Sequence, residues 1–136
     1  MGLKSGFTLL ETTIVIGIAS LLLTVGSNLF VFSKQSARDA VRKTDIDQIR
    51  AALEFFREEN PNRIYPLSLN ELLANNGGYV EILPDDPLNN VYNYYYIRDV
   101  SDPTSYILGA KLERGGPSSC GSNIACKSSS CNYCYS

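Results

Sequence analysis

The residues able to do chemistry fall into three sets: a lone carboxylate, Glu11, inside an apolar run; an adjacent pair, Asp85 and Asp86; and four cysteines, Cys120, Cys126, Cys131 and Cys134. Glu11 is the single charge between Phe7 and Phe32. A carboxylate inside a membrane segment costs on the order of 2.5 kcal/mol or more, so it stays solvated at an interface, takes up a proton or meets a partner. Asp85 and Asp86 offer oxygens suited to calcium, but they sit between Pro84 and Pro87 and no spaced set of oxygen donors follows, which makes them turn formers. The cysteines are even in number and clustered, which leaves the choice of disulfide pairing open. Cys131 and Cys134 have the spacing of zinc ligands, which Cys120 and Cys126 do not match, and Cys131-Asn132-Tyr133-Cys134 lacks the helix start that would activate a redox thiol. Cross-linking a loose tail is their better use, and it implies an oxidising compartment outside the cytoplasmic membrane.

The remaining composition narrows the function. There is no histidine, the commonest general base and metal ligand near neutral pH. No nucleophile stands beside a base, no glycine loop is shaped for phosphate, and no metal constellation is present, so neither an enzyme nor a cofactor nor a metal is expected. The net charge of −2 is mildly acidic and argues against nucleic acid as a partner.

The elements that must position these residues begin with a helix. Residues 7–32, taken as helical, extend roughly 39 Å, enough to cross a hydrocarbon core of about 30 Å. Helical character continues: 33–59 contains no Pro or Gly, and Ile46, Ile49, Leu53 and Phe56 recur at 3-4-3 spacing, the stripe of an amphipathic helix. Asp39 and Lys43 form an acid-before-base pair four residues apart, and the other charges between Ala37 and Phe56 are expected on a solvated face. Asn60-Pro61-Asn62 ends the helix. Tyr65 to Leu73 is a turn followed by a short helix capped by Ser68 and stopped by Asn75-Asn76-Gly77-Gly78. Val91 to Arg98 and Tyr106 to Leu112 alternate as strands, with Tyr92, Tyr94 and Tyr96 on one face and Asp99 to Pro103 as the turn between them. Half-buried tyrosines of this kind pack rather than bind. The fold class is therefore α+β: a long amino-terminal helix, half membrane segment and half amphipathic, laid on a small antiparallel sheet. The organisation is 1–6 leader, 7–32 membrane or filament-core half, 33–59 amphipathic half, 60–114 small α+β domain with a hairpin, and 115–136 a Ser- and Gly-rich cysteine tail unable to bury a core.

The string Gly6-Phe7-Thr8-Leu9-Leu10-Glu11, behind a short basic leader, resembles the processing site of type IV pilins and type II secretion pseudopilins. The resemblance implies cleavage by prepilin peptidase between Gly6 and Phe7, methylation of the new amino terminus at Phe7, and a role for Glu11 in neutralising the amine of a neighbouring subunit and so setting register. It also implies partners: further copies in a helical homopolymer, other pilin-like subunits, the peptidase, the cytoplasmic membrane and a filament assembly platform. Tyr65-Pro66, Leu83 to Pro87 and Tyr106 to Ala110 are similar to the globular part of major pseudopilins. Two features depart from the family pattern. Asn28 stands where many pilins have a proline, and residues 115–136 contain no acid, so the calcium site of pseudopilin tails is not carried over. Cysteine-closed carboxyl-terminal loops do occur in type IV pilins. Lys34, Arg38, Arg42 and Lys43 follow the apolar run, and by the positive-inside rule alone they would place the carboxyl side in the cytoplasm. The processing site and the cysteines place it outside. The expected function is a structural subunit of a type IV pilus-like filament; the alternatives are a pseudopilin driving protein export and a bitopic, non-polymerising membrane-anchored binding protein.

Overall fold

The computed structural model describes residues 6–73, 78–115, 120 and 124–136, the side chains of 25–28 excepted, so Met1 to Ser5 of the leader, the expected Asn75-Asn76-Gly77 stop and the side chain of Asn28 lie outside the described residues. One helix, α1 (Leu9–Glu59), is followed by a single 3-10 turn at Leu69–Leu72 and five short strands: β1 (Tyr95–Arg98), β2 (Tyr106–Ala110), β3 (Ala125–Cys126), β4 (Ser129–Ser130) and β5 (Tyr133–Tyr135). The chain forms two compact units, Met1–Gln35 and Ser36–Ser136, with α1 continuous between them.

In the second unit the 3-4 stripe decides which face of α1 is covered. Ile46, Ile49 and Leu53 are buried, and they share a core with Tyr65, Leu72, Val80, Tyr106, Leu108 and Ala110. Each such aliphatic side chain contributes about 1.5–3 kcal/mol by leaving water. Phe56 is only partly buried and meets Tyr79 edge-to-face at 5.6 Å. The helix stops as Asn60-Pro61 requires: the Asn60 N–H still donates to the Phe56 carbonyl at 3.0 Å, and Arg63 then turns into the left-handed region at φ 53°. Ser68 caps the 3-10 turn, and Glu71 returns its carboxylate to the Ser68 N–H at 3.1 Å.

β1 and β2 pair antiparallel, from Tyr95 opposite Gly109 to Arg98 opposite Tyr106. The first strand is shorter than the alternation suggests. The N–H groups of Val91 and Tyr92 donate to the Leu88 carbonyl at 2.8 and 2.9 Å, which winds this stretch into a turn, and the Tyr92 ring lies against the Arg42 guanidinium at 5.4 Å. Tyr94 and Tyr96 pack as expected: the Tyr94 hydroxyl donates to Asp45 and the Tyr96 hydroxyl to the Pro66 carbonyl at 2.6 Å. Burial raises both phenols, far enough that they donate rather than ionise.

Two expectations are corrected. The charges between Ala37 and Phe56 are not all on a solvated face. Arg42 is 0% exposed and Asp39 7%. The Arg42 guanidinium donates to both oxygens of Asp86 at 2.7 and 3.0 Å, to Asp39 at 2.8 Å and to Glu113 at 2.8 Å, while Arg38 forks onto Glu113 at 2.6 Å through each of two nitrogens. Asp39 also accepts from the backbone N–H groups of Glu113 and Arg114 at 2.9 and 3.0 Å. The oxygens of Asp39 are thus taken up by Arg42 and the backbone, and Lys43 lies over the Tyr133 ring at 5.8 Å instead of pairing with Asp39. Segments 84–88 and 112–114 fold over this side of the helix, which a helical wheel does not reveal. Asp86 does form the expected turn, accepting from the Leu88 N–H at 2.7 Å.

The second correction concerns the tail, whose described residues, 120 and 124–136, are tied into the fold. β5 pairs antiparallel with β2, giving the sheet order β1-β2-β5, and β3 pairs with β4 in a small separate hairpin. Cys120 is bonded to Cys134 and Cys126 to Cys131, each pair with Cα atoms 5.2 Å apart, a pairing in which Cys131 and Cys134 are not bonded to each other. Cys126 and Cys131 are buried, so the cystine itself supplies apolar core where the Ser and Gly residues supply none. Asn132 ties the tail further, accepting from the Leu112 N–H at 2.6 Å and donating to its carbonyl at 2.9 Å. Gly109 makes the close approach possible: a Cβ there would lie 2.8 Å from the Cys134 Sγ and 3.4 Å from the Cys131 Cβ.

Two outcomes follow from these contacts. The hydrogen bond from Arg38, with Arg42 adding to it against the opposing effect of burial, holds the Glu113 carboxyl at about 2 instead of its ordinary 4.5. A carboxyl depressed by folding stabilises the fold above its ordinary value and loses that contribution as pH falls from 4.5 to about 2, an amount of about 3 kcal/mol. In urea unfolding of the detergent-solubilised chain, the advantage of wild type over Glu113→Gln therefore shrinks across that interval, and a constant advantage contradicts the ion cluster. Gly109→Ala drives a methyl into the cystine packing and costs about 1–3 kcal/mol, read as a lowered midpoint; measured between two chains that both carry Ala in place of Cys120 and Cys134, the same substitution lowers the midpoint much less.

Candidate functional site

The residues that begin α1 form the site the sequence singles out. Gly6, Phe7 and Thr8 precede the helix, and Phe7 is 82% exposed. The Thr8 Oγ1 accepts from the Glu11 N–H at 3.2 Å, closing one of the open donors at the helix start. Glu11 thereby occupies the first turn, where the aligned peptide dipoles favour an anion. The Thr8-Leu9-Leu10-Glu11 spacing is that of a capping box, a signal for the helix boundary that the chemistry of Glu11 alone does not convey. Phe7 and Glu11 are brought together: with Thr12, Val15 and Ile16 they line one shallow apolar hollow.

From there to Thr24 the described polar side chains are hydroxyls. The Thr12 hydroxyl donates to the Leu9 carbonyl at 2.9 Å, Thr13 to Leu10 at 2.8 Å, Ser20 to Ile16 at 2.9 Å and Thr24 to Ser20 at 2.9 Å. Each hydroxyl is absorbed by the backbone of its own helix, as a segment facing hydrocarbon requires. Large apolar side chains such as Leu10, Ile16, Leu21, Leu23 and Phe30 are exposed, and none of the most apolar 18-residue window is buried within the chain. The helix is long and apolar enough to cross a membrane. Its surface is built to be covered by lipid or by other helices.

The cysteines belong to a separate surface. Cys126 and Cys131 close the β3–β4 hairpin, whose turn residue Lys127 has φ 62°, and Cys134 lies on β5 beside Tyr133 and Tyr135. The two tyrosine hydroxyls are 2.9 Å apart, and Arg50 stacks on Tyr135 at 4.8 Å. The hydrogen bond shared with Tyr135, together with burial, pushes the Tyr133 phenol up to about 12. This face is a packed patch of aromatic rings.

Comparison with known proteins points one way. The chain is 30% identical to the type II secretion system core protein G of Vibrio cholerae, over 83% of this chain and 85% of that one. It is 31% identical to the protein of the same name in Pseudomonas aeruginosa, over 83% and 88%, and 32% identical to that of Aeromonas hydrophila, over 65% and 71%. No family model matches the chain, and no solved structure matches it. With a single long amino-terminal helix on a small antiparallel sheet, and relatives matched over most of both lengths, this chain belongs to the type II secretion system core protein G family, the major pseudopilins of the pilin group.

Proposed function

We propose that this chain is a structural subunit of a secretion pseudopilus and acts through polymerisation. The observation that carries this reading is an apolar helix left exposed by its own chain and interrupted by one carboxylate in its first turn. Before assembly the helix anchors the subunit in the inner membrane, with the carboxyl side outside, where an oxidising compartment forms the two disulfides. Prepilin peptidase cuts between Gly6 and Phe7, and the new amino terminus at Phe7 is methylated. The chain then carries a cation at the tip of the helix and the Glu11 anion one turn in. Helices packed with a stagger let the carboxylate of one subunit neutralise the amine of the next. An unpaired buried charge is penalised by several kcal/mol, so the pairing fixes register more than it adds affinity. Between a surface pilus and a secretion pseudopilus, the name carried by the relatives favours the second, and the partners are other pilin-like subunits and a membrane assembly platform.

Two substitutions test the roles. A Cβ at Gly6 meets nothing within 4 Å, so Gly6→Leu leaves the fold of the chain undisturbed and blocks trimming because the peptidase needs a small residue there. Maturation of this variant at the normal rate, followed by amino-terminal sequencing, contradicts the cleavage site. Glu11→Val leaves membrane insertion intact, or eases it, and abolishes filament recovery by shearing; a normal filament yield contradicts the amine–carboxylate pairing.

A further inference from the structure

The two disulfides are held in different ways. Cys126 and Cys131 are 0% and 6% exposed, whereas Cys120 and Cys134 are both partly exposed. Burial is only part of the difference. The Cys126–Cys131 bond closes a hairpin whose backbone is already paired, Ala125 opposite Ser130 and Cys126 opposite Ser129, and the Cys131 N–H donates to the Ile124 carbonyl at 2.9 Å. Breaking that bond leaves its two thiols in register within one hairpin, so it re-forms as an intramolecular step.

The Cys120–Cys134 bond joins unlike elements. Cys134 is seated by other contacts as well: β5 pairs with β2, the Asn132 N–H donates to the Ala110 carbonyl at 3.1 Å, the Asn132 side chain bonds both backbone groups of Leu112, and Tyr133 and Tyr135 pack against the core. Cys120 lies in no strand, and among the described residues its link to the sheet is the disulfide itself. On the Cys134 side the bond is backed by β2, where a Cβ at Gly109 would lie 2.8 Å from the Cys134 Sγ. The Cys120 Sγ is the sulfur left for attack.

We infer that Cys120–Cys134 is a thiol-exchange site that takes an external dithiol, while Cys126–Cys131 is a structural bond that the same reagent leaves intact. A thiolate of the dithiol attacks the Cys120 Sγ and forms a mixed disulfide; the Cys120–Cys134 bond breaks, and Cys134 leaves as a thiolate that takes up a proton. The second thiol of the reagent, as its thiolate, then attacks the reagent's own sulfur in the mixed disulfide. A disulfide closes within the reagent, and Cys120 leaves as a thiolate that is protonated in turn. Two electrons pass from the dithiol to the chain. The product is a half-reduced subunit with its three-stranded sheet in place and a thiol on each of Cys120 and Cys134. This site gives the chain a reversible covalent modification and stands independently of the filament reading.

The test exposes the full-length, detergent-solubilised chain to dithiothreitol, quenches samples over time with N-ethylmaleimide and maps the labels by peptide mass spectrometry. Cys120 and Cys134 are labelled at least about tenfold faster than Cys126 and Cys131, and a species with two labels accumulates. In urea, which removes the burial, the two pairs are labelled within about threefold of each other. Glutathione, which has one thiol, forms its adduct at Cys120. Equal rates in the native chain, or earlier loss of Cys126–Cys131, overturn the inference. So does a preference that survives undiminished in urea, or a glutathione adduct confined to Cys134.

Discussion

An arginine with no access to water needs an acceptor for its donors, and Arg42 shows what that demand does to a small chain. Three carboxylates from three places in the sequence converge on it: Asp39 one turn back on the same helix, Asp86 from the turn after the core is begun, and Glu113 from the far side of the hairpin. Burial works against the charge, and the hydrogen bonds to Asp86, Glu113 and Asp39 overcome it, so the guanidinium stays protonated. Such a cluster adds little net stability over a well-packed apolar replacement, but it is intolerant of losing one member, by about 3–5 kcal/mol. What it supplies is a fixed path: segments 84–88 and 112–114 have one place to lie along the helix. With that path fixed, β2 lies over Ile46, Ile49 and Leu53, and its second edge is left for β5.

The amino-terminal half works by the opposite economy. Its hydroxyls are consumed by its own carbonyls, its apolar side chains are exposed, and Glu11 is the one group with chemistry to offer. In the second unit charges are buried in company and organise the fold; in the first a single carboxylate stands in the opening turn of the helix, whose Glu11 N–H is capped by Thr8. The cysteine tail is held by covalent bonds instead. Two disulfides, with the sulfurs of Cys131 and Cys134 close against Gly109, help seat the end of a Ser- and Gly-rich segment as the third strand of the sheet.

The features legible in the sequence were those with local causes. The apolar run, the 3-4-3 stripe, the Asn60-Pro61 stop, the Ser68 cap and the alternation of Tyr106 to Ala110 each depend on neighbours within a few residues, and each stands in the structure. The family resemblance was legible for the same reason, since Gly6-Phe7-Thr8-Leu9-Leu10-Glu11 is a dense local pattern. What could not be read was long-range. Arg42 and Asp39 look like surface charges until Asp86 and Glu113, 44 and 71 residues beyond Arg42, fold over them, and Tyr92 leaves the strand because Leu88 claims its N–H. The tail misled through composition: Ser and Gly signal looseness, but a cystine buries like an apolar side chain and its pairing depends on the fold. Gly109 carried a faint signal, a glycine inside a strand, which marks close approach by something else in the chain.

The central claim is that a trimmed helix with a single carboxylate carries an oxidised head outside the membrane and joins it to others. The most direct measurement is intact-mass spectrometry with amino-terminal sequencing on protein from its native membrane and from the sheared surface fraction. The account predicts a chain that begins at N-methylated Phe7, with the mass deficit of two disulfides. A chain that begins at Met1 in both fractions, with four free thiols, contradicts it.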